Sequence, residues 1–371
     1  MEIHNSYEIL RIDCAEMIFR GEQRMTVAID DAKRLAIGSK LADMKALQNL
    51  LIANEQKFIS EITDEDIRDN VRKMLEDDHK NMGVLETVIV QYGVKGEPKQ
   101  TTQTMIESAQ KLMEGSELTI YEKVAQHELL KHKQTMAGLL IHKAAQVVGA
   151  DVEAAITPLN TVNFENRAHQ EQLKGILEIL GVRELTGQNP DQGIWARVQD
   201  AVAALSGVAG SVVTRTDNEM SIRDLIRMDH TKTNTLFMQI EGTDDPQKLQ
   251  EYFGQIYKDL SAHATAEEQV VYPAVRSYYQ NTQDLYQEQA EMKQMLEQIK
   301  ALNPSASDFK ENVTRLMRAV QHHVQQEENE MFPKIRDNFS DEQQKQMATE
   351  FKIVKSQLQN QMAASTRGAA S

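Results

Sequence analysis

Helix breakers are what this chain lacks, and their scarcity constrains its fold more than any other feature. Seven prolines and 17 glycines are spread through 371 residues, so long stretches offer no place to turn out of a helix. Ala, Leu, Met, Gln, Glu and Lys fill those stretches, and all are good helix formers. Aromatic residues make up 5% of the chain and β-branched runs are scarce, which leaves little to build strands from. The 18 methionines point to cores filled by flexible side chains rather than rings. The expectation is an all-α protein of two domains or three.

The apolar periodicity divides the chain. Leu47, Leu51, Phe58 and Ile62 recur at three- and four-residue steps, which is one helix face. Thr63-Asp64-Glu65-Asp66 supplies a cap and first-turn acids for a second helix that stops at Tyr92-Gly93. A third runs over about 102–148 with a break near Gly115, and a fourth from Asp151 to Gly181. Residues 182–219 hold Gly187, Gly193, Gly207, Gly210, Pro190 and the single tryptophan, Trp195. They read as a linker with one amphipathic helix over 194–205. Four more helices follow over about 220–242, 246–279, 281–302 and 306–337. A last one opens on the capping box Ser340-Asp341-Glu342-Gln343. The sequence thus predicts two antiparallel four-helix bundles, at 1–182 and 220–338. A Gly-containing linker (183–219) joins them, and a C-terminal helix and tail occupy 339–371.

Charge and cysteine content set exclusions. With 41 Lys and Arg against 56 Asp and Glu the net charge is −15, which disfavours a nucleic-acid partner in the absence of a basic stripe. One cysteine, Cys14, excludes a disulfide framework and thiolate metal sites within one chain. No run is long and apolar enough to span a membrane, and the first residues lack the basic and apolar regions of a secretory signal. A cytoplasmic protein with no membrane partner is expected. The oligomeric state is left open.

Chemistry concentrates in the second bundle. His263 and Glu267 stand four residues apart, as do His323 and Glu327, so each pair shares a helix face. His263 and Glu267 lie on the stripe of Ile256, Leu260 and Val271. His323 and Glu327 lie on that of Leu316, Val320 and Met331, and His230 on that of Ile226, Phe237 and Ile240. Three histidines and two glutamates thus point into one apolar core from three helices. One inward histidine alone is more often a hydrogen-bonded core residue than a ligand. Two carboxylates buried unpaired would cost several kcal/mol each, so the set as a whole calls for a cation. Imidazole and carboxylate together suit iron, zinc or manganese.

These residues resemble a known family. His230 in Met-Asp-His, His263 through Glu267-Glu268 to Tyr272-Pro273, and His323 through Glu327-Glu328 to Phe332-Pro333 are similar to hemerythrin-like HHE cation-binding domains over residues 220–337. That resemblance implies a non-haem di-iron centre in an antiparallel four-helix bundle. Glu267 and Glu327 would bridge the irons, His230 and His263 would complete one, and His323 would serve the other. The third helix departs from the family, which offers histidine there. Its inward stripe is Leu285, Gln289, Met292, Leu296 and Ile299, so Gln289 takes the expected position. Tyr286 offers an oxygen one turn earlier.

The first bundle carries a fainter echo. Glu55 lies on the first stripe, Glu76 and His79 form an ExxH step, Glu128 reads as inward, and Glu165 with His169 aligns with Leu173, Ile176 and Leu180. One carboxylate from each of two helices and a Glu/His pair from the others is the recipe of di-metal carboxylate bundles. The set resembles bacterial ferritin-like domains over about 40–182, which implies a second metal site. Three functional readings follow. The first is a di-iron protein that handles or senses O₂, peroxide, NO or iron. The second is a ferroxidase- or peroxidase-type stress enzyme, and the third an interaction scaffold with a depleted metal site. Enzymatic activity itself is left open.

Overall fold

The computed structural model describes residues 32–190, 193–209 and 220–368. The expected irregular lead with Cys14, the linker glycine Gly210 and the last three residues lie outside the described residues. The described elements are helical. In chain order they are α1 (Ala32–Glu61), α2 (Glu65–Tyr92), α3 (Gln100–Glu114), α4 (Ile120–Val148), α5 (Ala150–Ile156), α6 (Leu159–Thr186) and α7 (Ile194–Ala209). There follow α8 (Ile222–Glu241), α9 (Pro246–Ala266), α10 (Tyr272–Val275), α11 (Thr282–Lys300), α12 (Ser307–Gln326), α13 (Phe332–Asn338) and α14 (Asp341–Gly368). None of them is long and apolar enough to cross a membrane.

Helix ends fall where the local chemistry demands. Asp64 caps α2 by accepting from Ile67 N at 3.0 Å, and Gly93 ends it at φ +77°, a left-handed conformation that glycine adopts without strain. Ser221 with Asp224 and Ser340 with Gln343 form reciprocal caps at the starts of α8 and α14. The expected break near Gly115 separates α3 from α4. The helix expected from Asp151 is interrupted at Thr157-Pro158, where α5 ends and α6 begins.

Two helices change pitch where they carry candidate ligands. The turns Glu267–Val271 and Glu327–Met331 are π-helical, joining α9 to α10 and α12 to α13. Each precedes a proline by design of the sequence: Pro273 and Pro333 have no N–H to donate four residues back, and their rings crowd that carbonyl. Widening the preceding turn relieves the conflict, with Tyr272 N and Phe332 N donating to the carbonyls of Glu267 and Glu327, five residues back.

In the first half α1, α2, α4 and α6 close a ring, each packing on two neighbours. In the second α8, α9, α11 and α12 do the same. Each ring sandwiches a polar layer between two apolar ones. Leu41, Met44, Val88 and Ile141 fill one end of the first ring, and Phe58, Val71, Val124 and Ile176 the other. In the second the ends are Leu236, Phe237, Leu296 and Leu316, then Ile226, Val271, Leu285 and Met331.

The halves are bonded together through buried groups. Lys232 of α8 donates to the last carbonyls of α2, Gln91 O and Tyr92 O, both at 2.8 Å. It also pairs with Asp259 at 2.8 Å. A cation at a helix C-terminus meets the negative end of its dipole. The C-terminal helix α14 is no separate appendage, since it packs on α8 and α9 and donates from Gln359 to Val90 O at 2.8 Å. Arg34 of α1, 1% exposed, bonds Asp151 of α5 at 2.6 Å and Glu251 of α9 at 2.9 Å. Replacing it would strand Asp151, which has no exposed surface. Arg34→Met is expected to lower unfolding free energy by about 3–5 kcal/mol in urea titrations. Breaking the exposed Lys45–Glu86 pair with Lys45→Met should lower it by less than about 1 kcal/mol.

Candidate metal centre

Three imidazoles and two carboxylates converge in the polar layer of the second ring. His230 comes from α8, His263 from the last turn of α9, and His323 from the last turn of α12. Glu267 and Glu327 open the two π-helical turns. The glutamates have no exposed surface, and His263 and His323 are 5% and 4% exposed. His263 Nε2 lies 3.2 Å from Glu267 Oε2, His230 Nε2 3.2 Å from Glu327 Oε2, and His323 Nε2 3.4 Å from Glu327 Oε1. One donor atom from each of His230, His263, Glu267 and Glu327 falls within 4.8 Å of the others.

The orientation of the rings is set from behind. Nδ1 of His230 lies 2.8 Å from Glu328, Nδ1 of His263 2.9 Å from Asp229, and Nδ1 of His323 2.7 Å from Glu288. A carboxylate only accepts, so each Nδ1 donates and each Nε2 is turned to the centre. Carboxylate-backed imidazoles of this kind are the usual support of metal-bound histidine. Asp229 is in turn held by buried Lys355 of α14. These three acids lie off the apolar stripes, yet each is the chain neighbour of an inward residue: Asp229 of His230, Glu288 of Gln289, Glu328 of Glu327.

The third helix supplies an amide, as the sequence implies, and it does so as a donor. Gln289, 1% exposed, donates from Nε2 to Glu267 Oε2 at 2.7 Å and to the Tyr272 hydroxyl at 2.6 Å. Tyr272 donates to Glu327 Oε1 at 2.7 Å and lies 3.1 Å from His323 Nε2. The oxygen in the centre is therefore that of Tyr272, and not the expected Tyr286, whose hydroxyl is bonded to Glu268 O at 3.1 Å. The wide turn before Pro273 aims Tyr272 inward, so the Tyr-Pro step was the available signal.

The donor set fits a cation. Glu267 Oε1 is buried without a hydrogen-bond partner, and Glu327 Oε2 and His230 Nε2 face only each other, 3.2 Å apart, which leaves carboxylate and imidazole capacity that a cation would use. Burial opposes charge on His263, but Glu267 and Asp229 outweigh it and raise its pKa to about 10. His323 rises to about 9 against the same burial, through Glu327. Burial and the neighbouring Glu327 push Glu267 upward, while Glu327, buried but facing His323 and His230, is held well below its usual range.

The first ring is arranged otherwise. Glu55 and His169 are inward, as expected, at 0% and 1% exposure. Between them sits Lys131, 0% exposed, its ammonium 3.0 Å from Glu55, 2.5 Å from Asp78 and 3.0 Å from His169 Nδ1. A covalently attached cation thus occupies the space among Glu55, Asp78 and His169. Glu76 and His79, expected inward, are exposed, because the helix turns Asp78 to the core instead. Glu128 is half-buried and accepts from Gln170 at 3.0 Å, outside the cluster. His127, one residue earlier, is the inward group, 3.1 Å from Glu55. Glu165 is half-buried on the outer side of His169.

Comparison with known proteins agrees with the second ring and corrects one expectation. The hemerythrin HHE cation binding domain family matches residues 221–335. A DNA nickase of Nostoc sp. is 61% identical over 349 residues, 93% of this chain and 99% of that protein. This chain belongs to the family of that Nostoc protein, and residues 221–335 are its hemerythrin HHE cation-binding domain. An uncharacterized hemerythrin-like protein of Schizosaccharomyces pombe is 27% identical over 140 residues, 36% of this chain and 68% of that one. No solved structure matches. The Nostoc relative overturns the expectation of no nucleic-acid partner. Net charge sums over the whole surface, whereas a phosphate responds to the local field and to any bound cation.

Two outcomes follow from this geometry. The folded-state pKa values of His263 and His323 lie above the unfolded imidazole value of about 6.5. Their charged forms therefore stabilise the cation-free fold fully below about pH 6.5, and that contribution is lost as pH rises through 9 to 10. Urea midpoints of metal-stripped protein should fall across that window, and His263→Gln with His323→Gln should flatten the fall. In the first ring Lys131→Met removes the buried ammonium from Glu55 and Asp78 and leaves them only imidazole and amide partners. It is expected to cost about 3–5 kcal/mol in the same titration.

Proposed function

We propose that this protein makes single-strand breaks in DNA, and that its hemerythrin-like domain binds iron and responds through it to a small molecule such as O₂, peroxide or NO. The observation that carries the metal reading is the buried convergence of His230, His263, Glu267 and Glu327, one donor atom of each within 4.8 Å of the others, inside the region matched by the HHE cation binding family. The nicking reading rests on the relative named a DNA nickase, 61% identical over 99% of its own length.

In this reading His230, His263, Glu267 and Glu327 would hold one iron, and His323 would serve a second position beside the same carboxylates. Iron bound there supplies open coordination and redox capacity toward a small ligand. The rest is done by the chain. Asp229, Glu288 and Glu328 keep the proton on each Nδ1, so that Nε2 can bind. Gln289 donates to Glu267 and Tyr272 donates to Glu327, which keeps the pair of carboxylates from spreading. The apolar layers on either side exclude bulk water and anything as large as a nucleotide. A phosphodiester does not reach carboxylates with no exposed surface, so strand cleavage belongs elsewhere on the molecule. Lys131 counts against the ferroxidase reading for the core of the first ring, because an ammonium already lies between its carboxylates.

The purified full chain should carry between one and two irons, and Glu267→Ala combined with Glu327→Ala should lose them by elemental analysis. Supercoiled plasmid should be converted to open circles before linear product appears. Full iron in the double variant overturns the ligand assignment. Intact supercoils under every divalent cation tried overturn the nicking reading.

A further inference from the structure

Outside the hemerythrin-like domain, a buried histidine turns one ring nitrogen away from the core of its ring. His169 is 1% exposed, and its Nε2 has no hydrogen-bond partner. Its Nδ1 is engaged inside the ring, 3.3 Å from Asp78 and 3.0 Å from the Lys131 ammonium. The Nε2 faces the other way, toward the seam between α2 and α6. Asp77 Oδ2 stands 3.6 Å from it, and Glu165 comes from one turn back on α6. One donor atom of each of the three lies within 4.8 Å of the others, and both carboxylates are half-buried. Burial and the charge of Asp77 hold the Glu165 carboxyl above its usual range, the mark of acids crowded together. Lys80 touches Asp77 at 3.0 Å, but its ammonium is an exposed partner that water can take over.

The same seam continues into an open groove. Asn70 and Lys73 of α2, Gln172 of α6, and Trp195 and Gln199 of α7 line a space of about 420 Å³. Lys73 is one turn from Asp77, and Gln172 one turn from His169. An ammonium, amides and an indole face are groups that hold a nucleotide's phosphate and base.

We propose that Asp77, Glu165 and His169 form a divalent-cation site of Mn²⁺ or Mg²⁺ type at which a DNA phosphodiester is cut, the adjoining groove seating the nucleotide beside it. The proposal rests on the reading that the chain nicks DNA, and names where that happens. Two carboxylates favour hard cations, and one imidazole favours manganese among them. The half-exposed site differs from the hemerythrin-like centre in being open to a polymer, and from the core of the first ring in that the lysine on its carboxylates, Lys80, is partly exposed rather than buried. A cation there also answers how an acidic protein holds a phosphate, since the ion bridges two anions that would otherwise repel. The cut is hydrolytic. The oxygen of water bonds to phosphorus, one ester bond from phosphorus to a deoxyribose oxygen breaks, and that oxygen takes a proton in place of the one water gives up. No electron is transferred and no oxidant is consumed.

The test begins with Mn²⁺ binding, read from the free-ion paramagnetic resonance signal. It uses full-length protein carrying Glu267→Ala and Glu327→Ala, so that the second ring does not compete. One Mn²⁺ per chain is expected, bound about tenfold or more weakly after Glu165→Gln or Asp77→Asn. It should be unchanged after Glu76→Gln on the exposed face of α2. Circular dichroism establishes that each variant is folded. Equal binding with and without Glu165→Gln overturns the site, the outcome expected if His169 Nε2 merely carries a proton shared with Asp77. The second arm compares plasmid nicking in Mn²⁺ by the wild-type chain and by Glu165→Gln. Nicking slowed in step with lost Mn²⁺ supports the proposal, and equal nicking overturns it. A wild-type chain that nicks nothing refutes the broader reading of function and the cutting role together, while the Mn²⁺ titration still decides whether the cation site exists.

Discussion

A carboxylate buried in a helical bundle must meet a positive charge, and this requirement organises both halves of the protein. The two rings meet it in different ways. In the first, Lys131 brings the cation on its own side chain, within 3.0 Å of Glu55 and 2.5 Å of Asp78. In the second, no lysine or arginine lies against Glu267 or Glu327 among the described residues, and imidazoles surround them instead. A histidine can hold the charge as a proton or release it to a metal, whereas a buried lysine paired with two acids keeps it. One ring thereby keeps its positive charge on a side chain, and the other carries it on groups able to give it up.

The remaining architecture serves that difference. Apolar layers above and below each polar layer lower the local dielectric and strengthen every interaction within it. Prolines placed six residues after Glu267 and Glu327 open the turns that begin at those glutamates, so the helix irregularities and the ligand positions have one cause. The outer carboxylates on the three Nδ1 atoms fix ring orientation before any cation arrives.

How much of this could be read from the sequence depends on which residues framed each helix. In the second ring His263, Glu267, His323 and Glu327 continue the apolar stripes of their helices, and the helical period alone places them in the core. In α4 the inward reading of Glu128 is one residue out of frame. The packing follows Val124, His127, Lys131, Gly138, Ile141 and Ala145, and one residue of offset turns a helix face by about 100°. A lysine within such a stripe looks like a solvated residue until its partners on other helices are known. Likewise Asp78 could not be preferred over Glu76 and His79 without knowing which side of α2 meets α6. Tyr272 was obscured differently, because the π-helical turn breaks the period that would have placed it. Long-range supports such as Lys355 on Asp229 depend on where α14 docks, and no local pattern encodes that.

The carbonyl end of α2 has a practical meaning for this chain. Its last turn is closed by Lys232 and Gln359 from the second half, and Gly93 sits so close to Asp259 that an added Cβ would lie 2.6 Å from Asp259 Oδ1. The halves are therefore not exchangeable modules in the way that bundles strung on a linker can be. A hemerythrin-like fragment produced alone would bare Lys232 and part of the surroundings of Lys355, the residue that steadies Asp229 behind His263. Its metal affinity would then report on a damaged support, and grafting this domain onto another protein would need the end of α2 to travel with it.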